Sequence, residues 1–153
     1  MKLSTKGRYG IRAMYELALE YGKGPLSIKE IAARQSIPEA YLEQLVLPLK
    51  REGLVTATRG ASGGYRLSRP PKETSVGAIL RALEGSLDAV KCPGLEEENS
   101  CDGSEFCVTK YVWQKINDSI NRTVDEMKLD QLVEESRSMK EEAGTDENTS
   151  CCI

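Results

Sequence analysis

Residues 36–69 read SIPEAYLEQLVLPLKREGLVTATRGASGGYRLSR, and three kinds of local chemistry follow one another in them. Ser36-Ile37-Pro38-Glu39 is a helix-start signal, with proline in the first turn, where a missing amide costs nothing. Leu42, Leu45, Val46 and Leu49 then recur at i, i+3, i+4 and i+7, which places one apolar face on a helix that Gly53 closes. Pro48 sits inside this pattern and predicts a local distortion rather than a stop. Leu54–Arg59 and Tyr65–Arg69 are strand-like, and Gly60-Ala61-Ser62-Gly63-Gly64 between them is a glycine-rich hairpin turn.

Upstream, Thr5 to Gly22 predicts a helix capped by Thr5, with Ile11, Met14, Tyr15, Ala18 and Leu19 at helical spacing. Ser27-Ile28-Lys29-Glu30 is a capping box opening a short helix to about Gln35. Helix, short helix, helix and β-hairpin, in that order, predict a winged helix-turn-helix. The fold class is therefore mainly α with a small hairpin wing, followed by a long helix suited to dimerisation. Charge agrees. Residues 1–72 carry 13 Lys+Arg against 6 Asp+Glu, whereas residues 73–153 carry 8 against 18. A basic first half on a chain of net charge −3 is the footprint of a nucleic-acid-binding module joined to something else.

Absences narrow the field further. The 153 residues contain no histidine, which removes imidazole acid–base catalysis, His-paired nucleophiles and imidazole metal ligands, so no enzyme is expected. No apolar run is long enough to span a membrane, and the start is not a signal peptide, so a cytoplasmic location is expected. In the predicted third helix, Glu39, Ala40, Tyr41, Glu43 and Gln44 lie near its N-terminus or off the apolar stripe, within reach of base edges. Lys2, Ser4, Lys6, Arg8 and Tyr9 are candidates for phosphate contacts, with Lys50, Arg51 and Arg66 adding to the same field. A merely solvated face is the competing reading for each.

Downstream, Thr74 or Ser75 caps a helix carrying Val76, Ile79, Leu80 and Leu83 that ends near Gly85. Residues 88–107 lack an apolar period, and they hold three of the five cysteines, Cys92, Cys101 and Cys107. Three thiolates on a glycine-containing loop suit a soft metal centre, iron–sulfur or zinc; free thiols without metal are the alternative. A long helix resumes near Val108 with Val112, Ile116, Ile120 and Val124 at spacing four. This stripe is expected to pack on a partner chain, the alternative being its own domain. Expected boundaries are 1–72 for the winged helix-turn-helix, 73–87 for a linking helix, and 88–108 for the cysteine loop. Residues 109–135 would form the dimerisation helix and a short helix after it, and 136–153 a disordered tail holding Cys151 and Cys152.

LSTKGRYGIRAM at the start, YLEQLVLPLKREGLV in the third helix and TRGASGGYRL in the wing resemble the IscR-type regulators, over roughly residues 1 to 135. That winged-helix family also includes the nitric-oxide sensor NsrR and the cysteine-metabolism repressor CymR. The resemblance implies a homodimeric repressor that binds a palindromic double-stranded operator. It also implies a [2Fe-2S] cluster on Cys92, Cys101 and Cys107 that reports cluster supply to iron–sulfur assembly genes. By the same resemblance Glu43 reads cytosine, and Arg59 with Gly60 at the wing enters the minor groove. One departure stands out: the usual Cys-x-Thr-His is here Cys107-Val108-Thr109-Lys110. A lysine is protonated at neutral pH and is a poor ligand, so the fourth ligand is open, with Asp102, Glu105, a carboxylate of the partner subunit, a backbone group or a tail thiol as candidates. A nitric-oxide or redox sensor, a CymR-like regulator and a small electron carrier are the competing functions; the basic wing argues against the carrier.

Overall fold

The computed structural model describes residues 3–96 and 101–143. In chain order it comprises α1 (Thr5–Leu19), α2 (Ile28–Gln35), α3 (Glu39–Arg51), β1 (Val55–Thr58), β2 (Gly64–Leu67), α4 (Val76–Glu84), α5 (Val108–Glu126) and α6 (Leu129–Ala143). Single 3-10 turns lie at Pro71–Glu73, Pro93–Leu95 and Ser104–Phe106. The two strands pair antiparallel with Val55 opposite Leu67 and Thr58 opposite Gly64. Three helices followed by this hairpin make a winged helix-turn-helix, mainly α with a small β wing.

The helix starts obey local chemistry, with two changes from expectation. The capping box of α2 is formed: the Ser27 hydroxyl accepts from the Glu30 amide and the Glu30 carboxylate accepts from the Ser27 amide. For α1 the cap is Ser4, not Thr5; its hydroxyl accepts from the Lys6 amide at 3.1 Å. Ser36 does not cap α3 but closes α2, in the left-handed region at φ 51°, ψ 45°. That turn buries Ile37, and Pro38 then stands at the entry to α3. Helix α3 continues through Pro48 to Arg51.

The core crosses the expected domain boundaries. Met14, Ile31, Leu42, Leu49, Ile79 and Leu129 are fully buried, and they come from α1, α2, α3, α4 and α6. The first 72 residues therefore share one core with the C-terminal helix. At the return, the Val76 amide donates to the Met127 carbonyl at 2.8 Å and the Leu129 amide to Thr74 at 3.0 Å. The hydroxyls of Tyr15 and Ser136 lie 2.6 Å apart, tying α6 to α1. Helix α6 runs to Ala143, so residues 136–143 of the expected tail are helical; their Glu, Lys, Met and Ala are good helix formers. Cys151 and Cys152 lie outside the described residues. Helix α4 presses on α1 where Gly10 leaves the surface bare, since a β-carbon there would run into Leu83.

Candidate DNA-reading face and cysteine loop

Helix α3 buries Leu42, Leu45, Val46 and Leu49, which turns Glu39, Ala40, Glu43, Gln44 and Leu47 outward to solvent. Tyr41 is half-buried, and its ring stands edge-on to that of Tyr9, with centroids 5.5 Å apart at 89°. The Arg12 guanidinium lies 5.6 Å from the Tyr9 ring centre and donates through Nε to Gln35 Oε1 at 2.8 Å. The Gln35 amide nitrogen donates to the buried carboxylate of Glu16, which also accepts from Arg34 at 3.3 Å. This row from Glu16 to Tyr41 fixes α1, α2 and α3 relative to one another. None of Arg12, Glu16 or Gln35 stood out in the sequence, where each reads as an ordinary polar position on a helix.

At the wing, Arg59 and Gly60 are exposed at the tip, and the Gly60 carbonyl accepts from the Gly63 amide at 3.0 Å. Two hydrogen bonds between Leu26 and Tyr65, at 2.9 and 2.7 Å, bind the hairpin to the segment that opens α2. Lys2 lies outside the described residues, while Lys6 and Arg8 project from the first turns of α1 into solvent.

Ser4 is already engaged. Its hydroxyl donates to Glu84 Oε1 at 2.6 Å, and its amide and that of Gly7 donate to the same oxygen at 3.0 Å each. Burial opposes ionisation of Glu84. The Ser4 hydroxyl, the Ser4 and Gly7 amides and the charge of Lys6 outweigh it and hold the carboxyl below its ordinary value of 4.5. A group with a depressed folded pKa contributes stability above its unfolded pKa and loses it as pH falls through the folded one. We expect Glu84→Ala to lower stability by about 1–2 kcal/mol at neutral pH, and the gap to wild type to close as pH falls below 4.5. Denaturant titrations at neutral and acid pH check both.

In the cysteine loop, Cys92 is half-buried at the head of the Pro93–Leu95 turn, where its carbonyl accepts from the Leu95 amide at 2.8 Å. Cys101 is exposed, and Cys107 is half-buried at the N-cap of α5. The Cys107 sulfur lies 3.1 Å from the Thr109 hydroxyl. That hydroxyl first, then the Lys110 amide, lower the thiol's pKa; slight burial opposes them, and the Thr109 amide and Lys110 charge assist. The Lys110 amide and charge thus favour a thiolate at Cys107. All three thiols are free, and among the described residues no three Cys, Asp or Glu side chains are gathered closely enough to hold a metal ion.

The α5 stripe divides in two. Ile120 and Val124 pack against Val76, Leu80 and Leu87, within the chain. Val112 and Ile116 remain exposed, in line with Phe106, Val108 and Tyr111. Beside them Ser119, Ile120, Thr123 and Val124 line a shallow groove of about 280 Å³.

A reading helix backed by a winged scaffold, with basic residues at the start of α1 and at the wing tip, defines a DNA-binding transcriptional regulator. Residues 3–135 match the family model for Rrf2, described as an iron-dependent transcriptional regulator. The chain belongs to the Rrf2 family. It is 40% identical over 133 residues to the HTH-type transcriptional regulator IscR of Pectobacterium atrosepticum, covering 87% of this chain and 79% of that one. To IscR of Aliivibrio salmonicida it is 41% identical, covering 87% and 77%. Among solved structures it is similar to CymR, the global cysteine regulator of B. subtilis, with TM-score 0.72, 41% identity and coverage of 86% and 95%. It is similar also to T. potens IscR, with TM-score 0.71, 42% identity and coverage of 97% and 94%. These relatives are transcriptional regulators, not enzymes. Among the described residues no helix is long and apolar enough to cross a membrane.

Proposed function

We propose that the chain is a homodimeric repressor that senses iron–sulfur cluster status through a [2Fe-2S] cluster and controls cluster-assembly genes. The observation that carries this reading is the set of three free thiols in the loop that leads into α5, one of them, at the helix N-cap, favoured as thiolate. Thiolate sulfur is the donor iron–sulfur clusters use, so the chemistry of Cys92, Cys101 and Cys107 fits the group, and the loop must close to bring the three together. Bound there, a cluster would supply iron that oxidants remove, turning cluster supply into occupancy. Asp102 and Glu105, both exposed in the same loop, are available as oxygen donors for the fourth position. The exposed apolar run of Phe106, Val108, Tyr111, Val112 and Ile116 suits a second copy, which would present two α3 helices to the halves of a palindrome.

Anaerobic purification followed by iron, sulfide and zinc analysis tests the cluster. About two irons and two sulfides per chain, with reddish-brown colour, are expected. A colourless protein that resists reconstitution would overturn the reading. The likeness to CymR favours a second one, a regulator of cysteine metabolism whose operator binding ignores iron.

On the DNA side, Glu43 is expected to accept from cytosine N4 and to repel DNA that offers no donor there. Glu43→Ala should reduce discrimination at that base by about tenfold while changing affinity for the preferred operator less. Fluorescence anisotropy against single-base operator variants at one salt concentration measures this, and unchanged discrimination would refute the role.

A further inference from the structure

The one buried residue of α5 is an asparagine. Asn117 is 9% exposed, and both ends of its carboxamide bond to the chain that leads to Cys92. Its Oδ1 accepts from the Ala89 amide at 2.9 Å, and its Nδ2 donates to the Val90 carbonyl at 3.3 Å. Ala89 and Val90 belong to a stretch without regular structure, and the two bonds from Asn117 tie its backbone to α5. Cys92 follows two residues later, and the Pro93–Leu95 turn it heads packs on α5. Helix α5 itself begins directly after Cys107. Asn117 therefore refers the first loop thiol to the same helix that carries the last one.

The following turns of the same face are also held. One turn on, Asn121 Oδ1 accepts from Arg81 Nη1 at 2.8 Å, and Asp125 pairs with the same guanidinium. Arg81 lies on α4, whose Glu84 binds the start of α1. The register between the loop and the DNA-reading domain thus passes through a row of side chains on one face of α5, beginning at Asn117.

We infer that Asn117 is a positioning residue for Cys92: its hydrogen bonds to Ala89 and Val90 hold the thiol against α5, where it can share a metal centre with Cys107. The inference rests on the cluster reading for its function, but the placement of Cys92 is testable without any metal. Outer residues that orient a ligand typically alter metal affinity by ~10–100-fold, although they never touch the metal.

The test uses the whole 153-residue chain. In metal-free protein, iodoacetamide labelling followed by peptide mass spectrometry gives the alkylation rate of each cysteine. Asn117→Ala is expected to raise the Cys92 rate several-fold and leave those of Cys101 and Cys107 unchanged. Asn117→Asp, which keeps the acceptor for Ala89 and loses the donor for Val90, should fall between. In reconstituted protein, loss of visible absorbance under a ferrous chelator should be about tenfold faster for Asn117→Ala than for wild type. Far-ultraviolet circular dichroism and melting identify a variant that has lost its fold, in which case Asn117→Asp alone is scored. Equal Cys92 labelling in a folded variant and wild type overturns the inference, and so does an unchanged rate of cluster loss. A wild-type chain that takes up no cluster overturns the functional reading instead, and the labelling result then decides the role of Asn117.

Discussion

Cys92→Ala, Cys101→Ala and Cys107→Ala are each expected to yield colourless protein with no stoichiometric iron, whereas Cys151→Ala and Cys152→Ala should retain the wild-type spectrum. The size of the effect follows from the ligand count. In the proposed cluster site the loop would supply three thiolates to a group that needs four ligands, so the fourth position would depend on a weaker donor or on another segment. Removing one thiolate leaves two, and an oxygen donor such as Asp102 or Glu105 does not replace sulfur on a soft centre. At Cys107 the Thr109 hydroxyl and the amides that open α5 favour the thiolate. Thr109→Ala should therefore slow reconstitution without abolishing it. Anaerobic iron and sulfide analysis of the set decides the matter; full iron in any one loop variant would remove that cysteine from the ligand set. Melting temperatures should stay close to wild type, because Cys92 and Cys107 are only half-buried, Cys101 is exposed, and all three lie outside the main core.

The winged helix-turn-helix was legible because it is written in local signals. The capping box at Ser27, the stripe from Leu42 to Leu49 and the glycines of the wing each act within a few residues. They formed where expected. What escaped depends on contacts distant in sequence. The cap of α1 is completed by Glu84, and no pattern near Ser4 announces a carboxylate 80 residues away. Helix α6 joined the first core through Leu129 and Val133, within the short helix expected up to 135, and ran on through residues 136–143, whose charged sequence resembled a tail. The α5 stripe misled for a geometric reason. Four residues advance an α-helix by roughly 400°, so a spacing of four drifts about 40° per step and ~120° from Val112 to Val124. Such a row faces two directions, which is why its end packs on α4 and its beginning stays bare. Asn117 gave no signal beyond being a polar residue beside that row.

Gly64→Ala should lower stability by about 2–4 kcal/mol, and with it most of the DNA affinity. Gly64 opens β2 at φ 157°, and a β-carbon there would press on the backbone of the segment before α2, reaching the Leu26 carbonyl group and the Ser27 amide nitrogen, the latter at 2.8 Å. Backbone cannot swing aside as a side-chain tip can, so one of the two segments must move. The movement breaks the paired hydrogen bonds between Leu26 and Tyr65, and it uncovers Leu26, which is 5% exposed in the native fold. It also displaces Tyr65, and with it the hairpin whose tip carries Arg59 and Gly60. A lost bond pair contributes about 1–3 kcal/mol and partial exposure of a leucine a similar amount, which together set the estimate. For a chain of this length the melting temperature should fall by about 10 °C. Ser62→Ala, exposed at the wing tip with no backbone to strike, is the matched control and should change stability by less than about 0.5 kcal/mol. Thermal melts and salt-matched DNA titrations of the two variants separate the outcomes. A drop in affinity with an unchanged melt would mean that the hairpin pivots as a unit and the core ignores it. An unchanged value of both would show that the wing is not held by Leu26 at all.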